Sequence, residues 1–192
     1  MDEIRPLVSK YHLENCIALL SLRPEVRKLF YDFLLRVAMA RIYVRITSAS
    51  RTSQEQDQLF ASSRTVPGPV KTWVNDSNSY HTHGLAIDIA PLMLITQSPY
   101  PKFATNYSSD VFDQLERLAR EIGIEHPYAS DKPHFHYSGG IGTFLLKQGI
   151  FPPPPDPFET ILSSGNRLLL RIHDRTLTRL SAMGYGVSTL HS

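Results

Sequence analysis

A single cysteine, Cys16, rules out any intramolecular disulfide. It lies in the apolar run Cys16-Ile17-Ala18-Leu19-Leu20, where a thiol serves as a small buried hydrophobe. Charge of one sign is also lacking: 20 Lys and Arg stand against 18 Asp and Glu, for a net charge of +2. No concentrated basic face marks a nucleic-acid binder. Long apolar runs are missing as well, so no segment reads as a membrane span. The start, Met1-Asp2-Glu3-Ile4-Arg5, lacks the basic-then-apolar pattern of a signal peptide. The expectation is synthesis and folding in a cytoplasm, with a substrate outside the membrane reached only after release or delivery, as on a virion.

What is present suits one compact domain with a modest appendage: 192 residues, 42% of them hydrophobic. Apolar spacing predicts one helix ending near Leu20 and a second from Pro24 to Ala40, with Pro24 as its first residue. Ile42 to Thr47 alternates as a strand. Ser53-Gln54-Glu55-Gln56 resembles a capping box opening a helix through Phe60. Residues 64–78, rich in Pro, Gly and Asn, read as a long surface loop, and Trp73 within it suits loop packing or a cleft wall. Gly84 to Ala90 reads as a strand, Ser109 to Ile122 as an amphipathic helix stopped by Gly123, and Pro133 to Tyr137 as a short strand. The expected division is a domain over 1–150, a proline-rich spacer over 151–157, and an extension over 158–192. That extension is too short for its own core and is expected to hold one helix, centred on Arg167 to Leu180, that docks on a protein partner or the parent domain.

Four of the eight histidines fall in two pairs, His81 with His83 and His134 with His136. Between the pairs lies Asp88, in an otherwise apolar strand. A carboxylate there calls for a counter-charge, since burying it alone is costly. A metal ion would supply one, and His with Asp suits zinc. His134 and His136, two apart on a strand, share a face, with Phe135 turned to the core. Which of the two would touch a metal is left open by spacing. Asp131, three residues before His134, could take a proton from water activated by such a metal.

Ser79-Tyr80-His81-Thr82-His83-Gly84-Leu85-Ala86-Ile87-Asp88 fits S-x-H-x-x-G-x-A-x-D, and Asp131-Lys132-Pro133-His134-Phe135 fits D-x-P-H-F. The pair resembles the zinc D,D-carboxypeptidase and L-alanyl-D-glutamate endopeptidase family, which includes VanY-like enzymes and many phage endolysins. The likeness extends upstream through Ile46 to Thr52, Glu55-Gln56 and Arg64 to Gly68, covering about residues 20 to 150. It implies that His81, Asp88 and His134 bind Zn2+, that Asp131 is the general base and acid, and that Arg51 holds the substrate carbonyl or developing oxyanion. Ser79, Gln56 and His136 are implied as substrate contacts, His136 standing where relatives often have glutamine or glutamate. Gly84 and Ala86 are small enough for backbone to pack beside the metal. The implied fold is α+β: a small antiparallel sheet bearing the zinc site, flanked by helices, hedgehog/DD-peptidase-like. The implied substrate is a peptidoglycan stem peptide, cut at L-alanyl-D-glutamate, with D-alanyl-D-alanine carboxypeptidase the alternative. A rival of another class is a non-catalytic, zinc-stabilised module of a phage tail. The Trp-Gly-Gly-x-Trp segment common in relatives is replaced here by Gly123 to Ser130, which has no tryptophan.

Overall fold

The computed structural model describes residues 5–62, 64–72, 74–96, 102–127, 130–155 and 178–184. Two helices come first, α1 (Arg5–Leu19) and α2 (Pro24–Met39), then strand β1 (Tyr43–Ser48) and helix α3 (Ser53–Ala61). A single 3-10 turn (Asp76–Asn78) precedes β2 (Ala86–Thr96), β3 (Lys102–Thr105), α4 (Ser109–Arg120), β4 (His134–His136) and a last turn, α5 (Thr143–Leu146). This is the expected α+β arrangement, a small antiparallel sheet flanked by helices.

β2 is the spine of the sheet. β1 runs antiparallel along one edge, from Tyr43 opposite Leu92 to Ser48 opposite Asp88. The other edge is shared: β4 pairs with Ala86 to Asp88, and β3 with Leu92 to Thr96. β2 therefore runs past Ala90, where the sequence pattern stops. Pro91 has no N–H to give, but its carbonyl accepts from the Asn106 backbone at 2.8 Å and the ladder continues.

α2 forms because Pro24 presets its first turn and Val26, Leu29, Phe30, Phe33 and Val37 recur on one face, all buried. Across from that face, Ile87, Ile89 and Phe135 are fully buried, and the Phe33 and Phe135 rings lie 5.3 Å apart. α4 closes the core with Phe112, Leu115 and Ala119, and ends at Gly123, whose φ of 79° suits glycine. α1 covers the outer edge of β1 through one buried side chain. Asn15 donates to the Val44 carbonyl at 3.0 Å and accepts from the Ile46 amide at 2.8 Å, pairing an otherwise open strand edge.

The capping box of α3 sits one residue earlier than its sequence pattern suggested. Thr52 is the N-cap, and Glu55 at N3 returns the bond to the Thr52 amide at 2.8 Å. Gly84 is required by geometry of another kind than closeness to a metal. Its φ is 66°, and a Cβ there would come 3.0 Å from the Arg23 backbone nitrogen.

The first residues of the proline-rich segment lie on the domain. Phe151 packs under the Arg23 guanidinium, 3.7 Å from the ring centre, and the Pro153 carbonyl accepts from the Tyr137 hydroxyl at 3.1 Å. Leu180, in a short helical stretch, is fully buried with the core. Trp73 and the rest of the C-terminal extension, residues 156–177 and 185–192, lie outside the described residues.

Candidate active site

The strand register brings His81, Asp88 and His134 together. Asp88 on β2 stands opposite both Ser48 of β1 and His134 of β4, so its carboxylate emerges from the middle of the sheet. His81 arrives from the turn before β2, held at its backbone by Arg51, whose amide donates to the His81 carbonyl at 3.1 Å. One ligand atom from each of the three lies within 4.8 Å of the others.

Hydrogen bonding defines what this cluster can hold. His81 Nδ1 lies 2.6 Å from the Ala49 carbonyl, which can only accept, so the proton sits on Nδ1. The bare Nε2 then faces Asp88 Oδ1 at 3.0 Å and His134 Nδ1 at 3.1 Å. Burial lowers the His81 pKa, so a second proton, the one that would bond Asp88, is disfavoured there. Burial pushes the Asp88 carboxyl upward, but the facing His134 and His81 and the Arg51 cation outweigh it and hold it well below the usual carboxylate range. An anionic oxygen and imidazole lone pairs converging in a half-buried pocket fit a divalent cation. Three such donors with an open side match a catalytic rather than a closed structural site.

Arg51 is anchored from behind. Its Nη2 donates to Asp88 Oδ2 at 2.5 Å, its Nε to Ser48 Oγ at 2.9 Å, and its Nη1 to Gln56 Oε1 at 3.1 Å. A guanidinium carries five N–H groups, and three of them are used among the described residues, which leaves two. Gln56, expected against substrate, is instead wholly buried. Its amide nitrogen donates to the Val74 carbonyl at 2.8 Å and to Thr72 Oγ1 at 3.2 Å, tying Arg51 to the loop over 64–78. The sequence showed a polar residue at the right place in the motif. It could not show that α3 turns this side chain inward.

A cleft of about 370 Å³ opens in front of the cluster. Arg51, Ser79, His81, Asp88, Asp131 and His134 all line it, so six of the eight candidate residues share one space. Asp131 is exposed at the rim. Val70, Lys71, Thr72 and Val74, from the loop over 64–78, line it as well. Past Arg51 and Lys71 the surface dips again into a second polar recess bordered by Ser48, Glu55 and Gln58.

His136 stands apart from this space. It was expected to line the cleft, but it is 3% exposed and lies behind His134, its Nδ1 3.2 Å from His134 Nε2. Tyr80 stacks flat on it, 3.9 Å between ring centres. Burial, then the neighbouring histidines, push the His136 pKa down to about 3. Sequence reasoning also passed over Glu125, whose Oε2 lies 3.5 Å from His136 Nε2. The one signal for it was an acid beside Ile124 and Ile122, both buried. His126 is structural: it stacks on Phe135 and bonds the Lys132 carbonyl at 2.8 Å.

The family model for VanY, described as D-alanyl-D-alanine carboxypeptidase, matches residues 19–139. The chain belongs to the VanY family. The matched span runs from the end of α1 through β4 and holds all three converging residues. Over 49 residues the chain is 45% identical to the peptidoglycan L-alanyl-D-glutamate endopeptidase CwlK of Bacillus subtilis (strain 168), covering 26% of this chain and 29% of that protein. The match thus spans less than a third of that protein. Among solved structures, the Serratia marcescens L-Ala D-Glu endopeptidase ChiX is 19% identical with a TM-score of 0.42, covering 65% of this chain and 86% of that one.

Proposed function

We propose that this chain is a zinc-dependent peptidase that cuts the L-alanyl-D-glutamate bond of peptidoglycan stem peptides. The observation that carries the reading is the convergence of His81, Asp88 and His134 on one wall of a cleft that also holds Asp131 and Arg51. Zinc held by the three would supply Lewis acidity to the scissile carbonyl and to the attacking water. Asp131, free to reach into the cleft from its rim, takes the proton from that water and returns it to the leaving amine. Arg51 keeps Asp88 ionised and aligned, and its two remaining N–H groups are available to a carbonyl oxygen gaining negative charge. No covalent intermediate is required.

Two features support the endopeptidase over the carboxypeptidase. The relative with the 45% match is named for the L-alanyl-D-glutamate bond. A second recess also shares Arg51 and Lys71 with the cleft, and a substrate chain extending beyond the cut could occupy it. A purely structural metal site is disfavoured, since it would be closed by a fourth protein ligand and would have no use for an exposed acid at its mouth. No helix among the described residues is long and apolar enough to cross a membrane.

The test is digestion of purified peptidoglycan by the zinc-loaded protein, with a chelated control and mass spectrometry of the new ends. Chelator-sensitive L-alanine and D-glutamate ends are expected. Loss of terminal D-alanine alone would replace the reading with the carboxypeptidase, and no cleavage at all would overturn it.

A further inference from the structure

Holding a cation through Nδ1 would require the His134 proton to sit on Nε2, and the group that faces Nε2 lies outside the cleft. Its Nδ1 faces Asp88 and His81, and its Nε2 faces His136 Nδ1 at 3.2 Å. Two proton arrangements satisfy that last contact. Either His134 Nε2–H donates and His136 Nδ1 accepts, or the reverse. In the second, His136 Nε2 would be a bare lone pair turned towards the Glu125 carboxylate, which repels it. In the first, His136 Nε2–H points at Glu125 Oε2, 3.5 Å away, an electrostatic contact rather than a short hydrogen bond. Glu125 therefore favours the arrangement that leaves His134 Nδ1 bare, against the pull of Asp88 Oδ1 at 3.2 Å and His81 Nε2 at 3.1 Å, which would accept the Nδ1 proton when no cation takes its place.

The backbone places this outer pair deliberately side by side. Glu125 and His136 form an isolated antiparallel bridge, with the Glu125 amide 2.7 Å from the His136 carbonyl and the reverse bond at 3.0 Å. Ser138 Oγ donates to the other oxygen of Glu125. The His136 ring cannot turn away, because Tyr80 lies flat against it at 8° and is itself held by its hydroxyl on the Ile141 carbonyl at 3.1 Å. Since His136 is buried behind His134 and outside the cleft, substrate does not reach it.

We propose that His136 and Glu125 are positioning residues: an outer relay that holds the His134 ring in the tautomer and orientation that present Nδ1 to a divalent cation. This rests on the metal-site reading above. Partners of this kind typically govern metal affinity by 10–100-fold.

The test measures zinc and cobalt(II) affinity of the full chain by competition with a chromophoric chelator, together with the cobalt absorption spectrum and the melting temperature of the metal-free protein. His136→Phe keeps the ring stacking but removes the acceptor, and is expected to weaken binding by about 10–100-fold and shift the cobalt bands. His136→Asn, whose side-chain oxygen can stand where Nδ1 stands, should restore most of the affinity. Glu125→Gln should lose a few-fold, being half-exposed. Affinity and spectrum of His136→Phe matching the wild type, with only the melting temperature lowered, would overturn the relay. Should that variant not fold, Glu125→Gln and His136→Asn decide: wild-type affinity in the first, or loss in the second as complete as in His81→Ala, overturns it. His81→Ala separates the two ideas, because wild-type metal binding in that control would overturn the metal site itself.

Discussion

The sheet-borne and loop-borne linings of the cleft are held in opposite ways. On one side, Asp88 and His134 sit on paired strands and His81 is pinned to the Ala49 carbonyl, so each donor atom has a fixed direction. On the other, Val70, Lys71, Thr72 and Val74 belong to a loop, and Asp131 to the exposed stretch before β4. On the proposed reading, the metal-holding groups are mounted on the sheet or pinned beside it, whereas those that would meet substrate are mounted on loops. Gln56, wholly buried, joins the two, bonding Arg51 on one side and Thr72 and Val74 on the other.

If that division holds, the two sides fail differently. Asp131→Asn should lower turnover by about 10²–10⁴-fold while zinc content stays at the wild-type level, because the rim does proton transfer and the wall holds the metal. Loss of zinc in step with activity would move Asp131 to the wall. Phe135→Ala acts from the opposite direction. Phe135 anchors β4 against Phe33, so the substitution should cost about 3–5 kcal/mol in denaturant unfolding and weaken metal binding as well.

Gln56→Leu targets the tie between the two linings. Filling the same space without polar atoms should cost about 1–3 kcal/mol by removing the Arg51 Nη1 acceptor and leaving the Val74 carbonyl only its longer bond from the Thr72 hydroxyl at 3.3 Å. It should also raise KM more than it lowers kcat, as the loop loosens while the metal wall stays in place. An unchanged KM would mean that the loop is held by other contacts. The smallest effect concerns the core behind the wall. Burial pushes the Cys16 thiol up to about 12, so at pH 8 it is protonated, and a thiol reagent should label it only on unfolding. Rapid labelling of the native chain would show that α1 opens from β1 on its own.

Much of this was legible beforehand, for identifiable reasons. α2 and α4 carry their apolar faces at helical spacing, and Gly123 ends α4 with a φ only glycine takes readily. Asp88 announced itself as a charge among Ile87 and Ile89. The roles that did not read through are those decided by burial from distant parts of the chain. Nothing local distinguishes a glutamine that meets substrate from one that, like Gln56, turns under a loop 16 residues away. His136 alternates with Phe135 as expected and shares the face of His134, yet Tyr80 and Glu125 close that face over it. β3 escaped notice because Lys102 to Thr105 is four residues long and takes its place only by pairing with the far end of β2.

The central claim is that His81, Asp88 and His134 hold one divalent metal. Calorimetric titration of zinc into the metal-free chain, beside His81→Ala, tests it most directly. The account predicts one tight site per chain, lost in the variant, with both proteins folded. A wild-type chain that takes up no stoichiometric zinc, or a variant that binds it equally well, would contradict it.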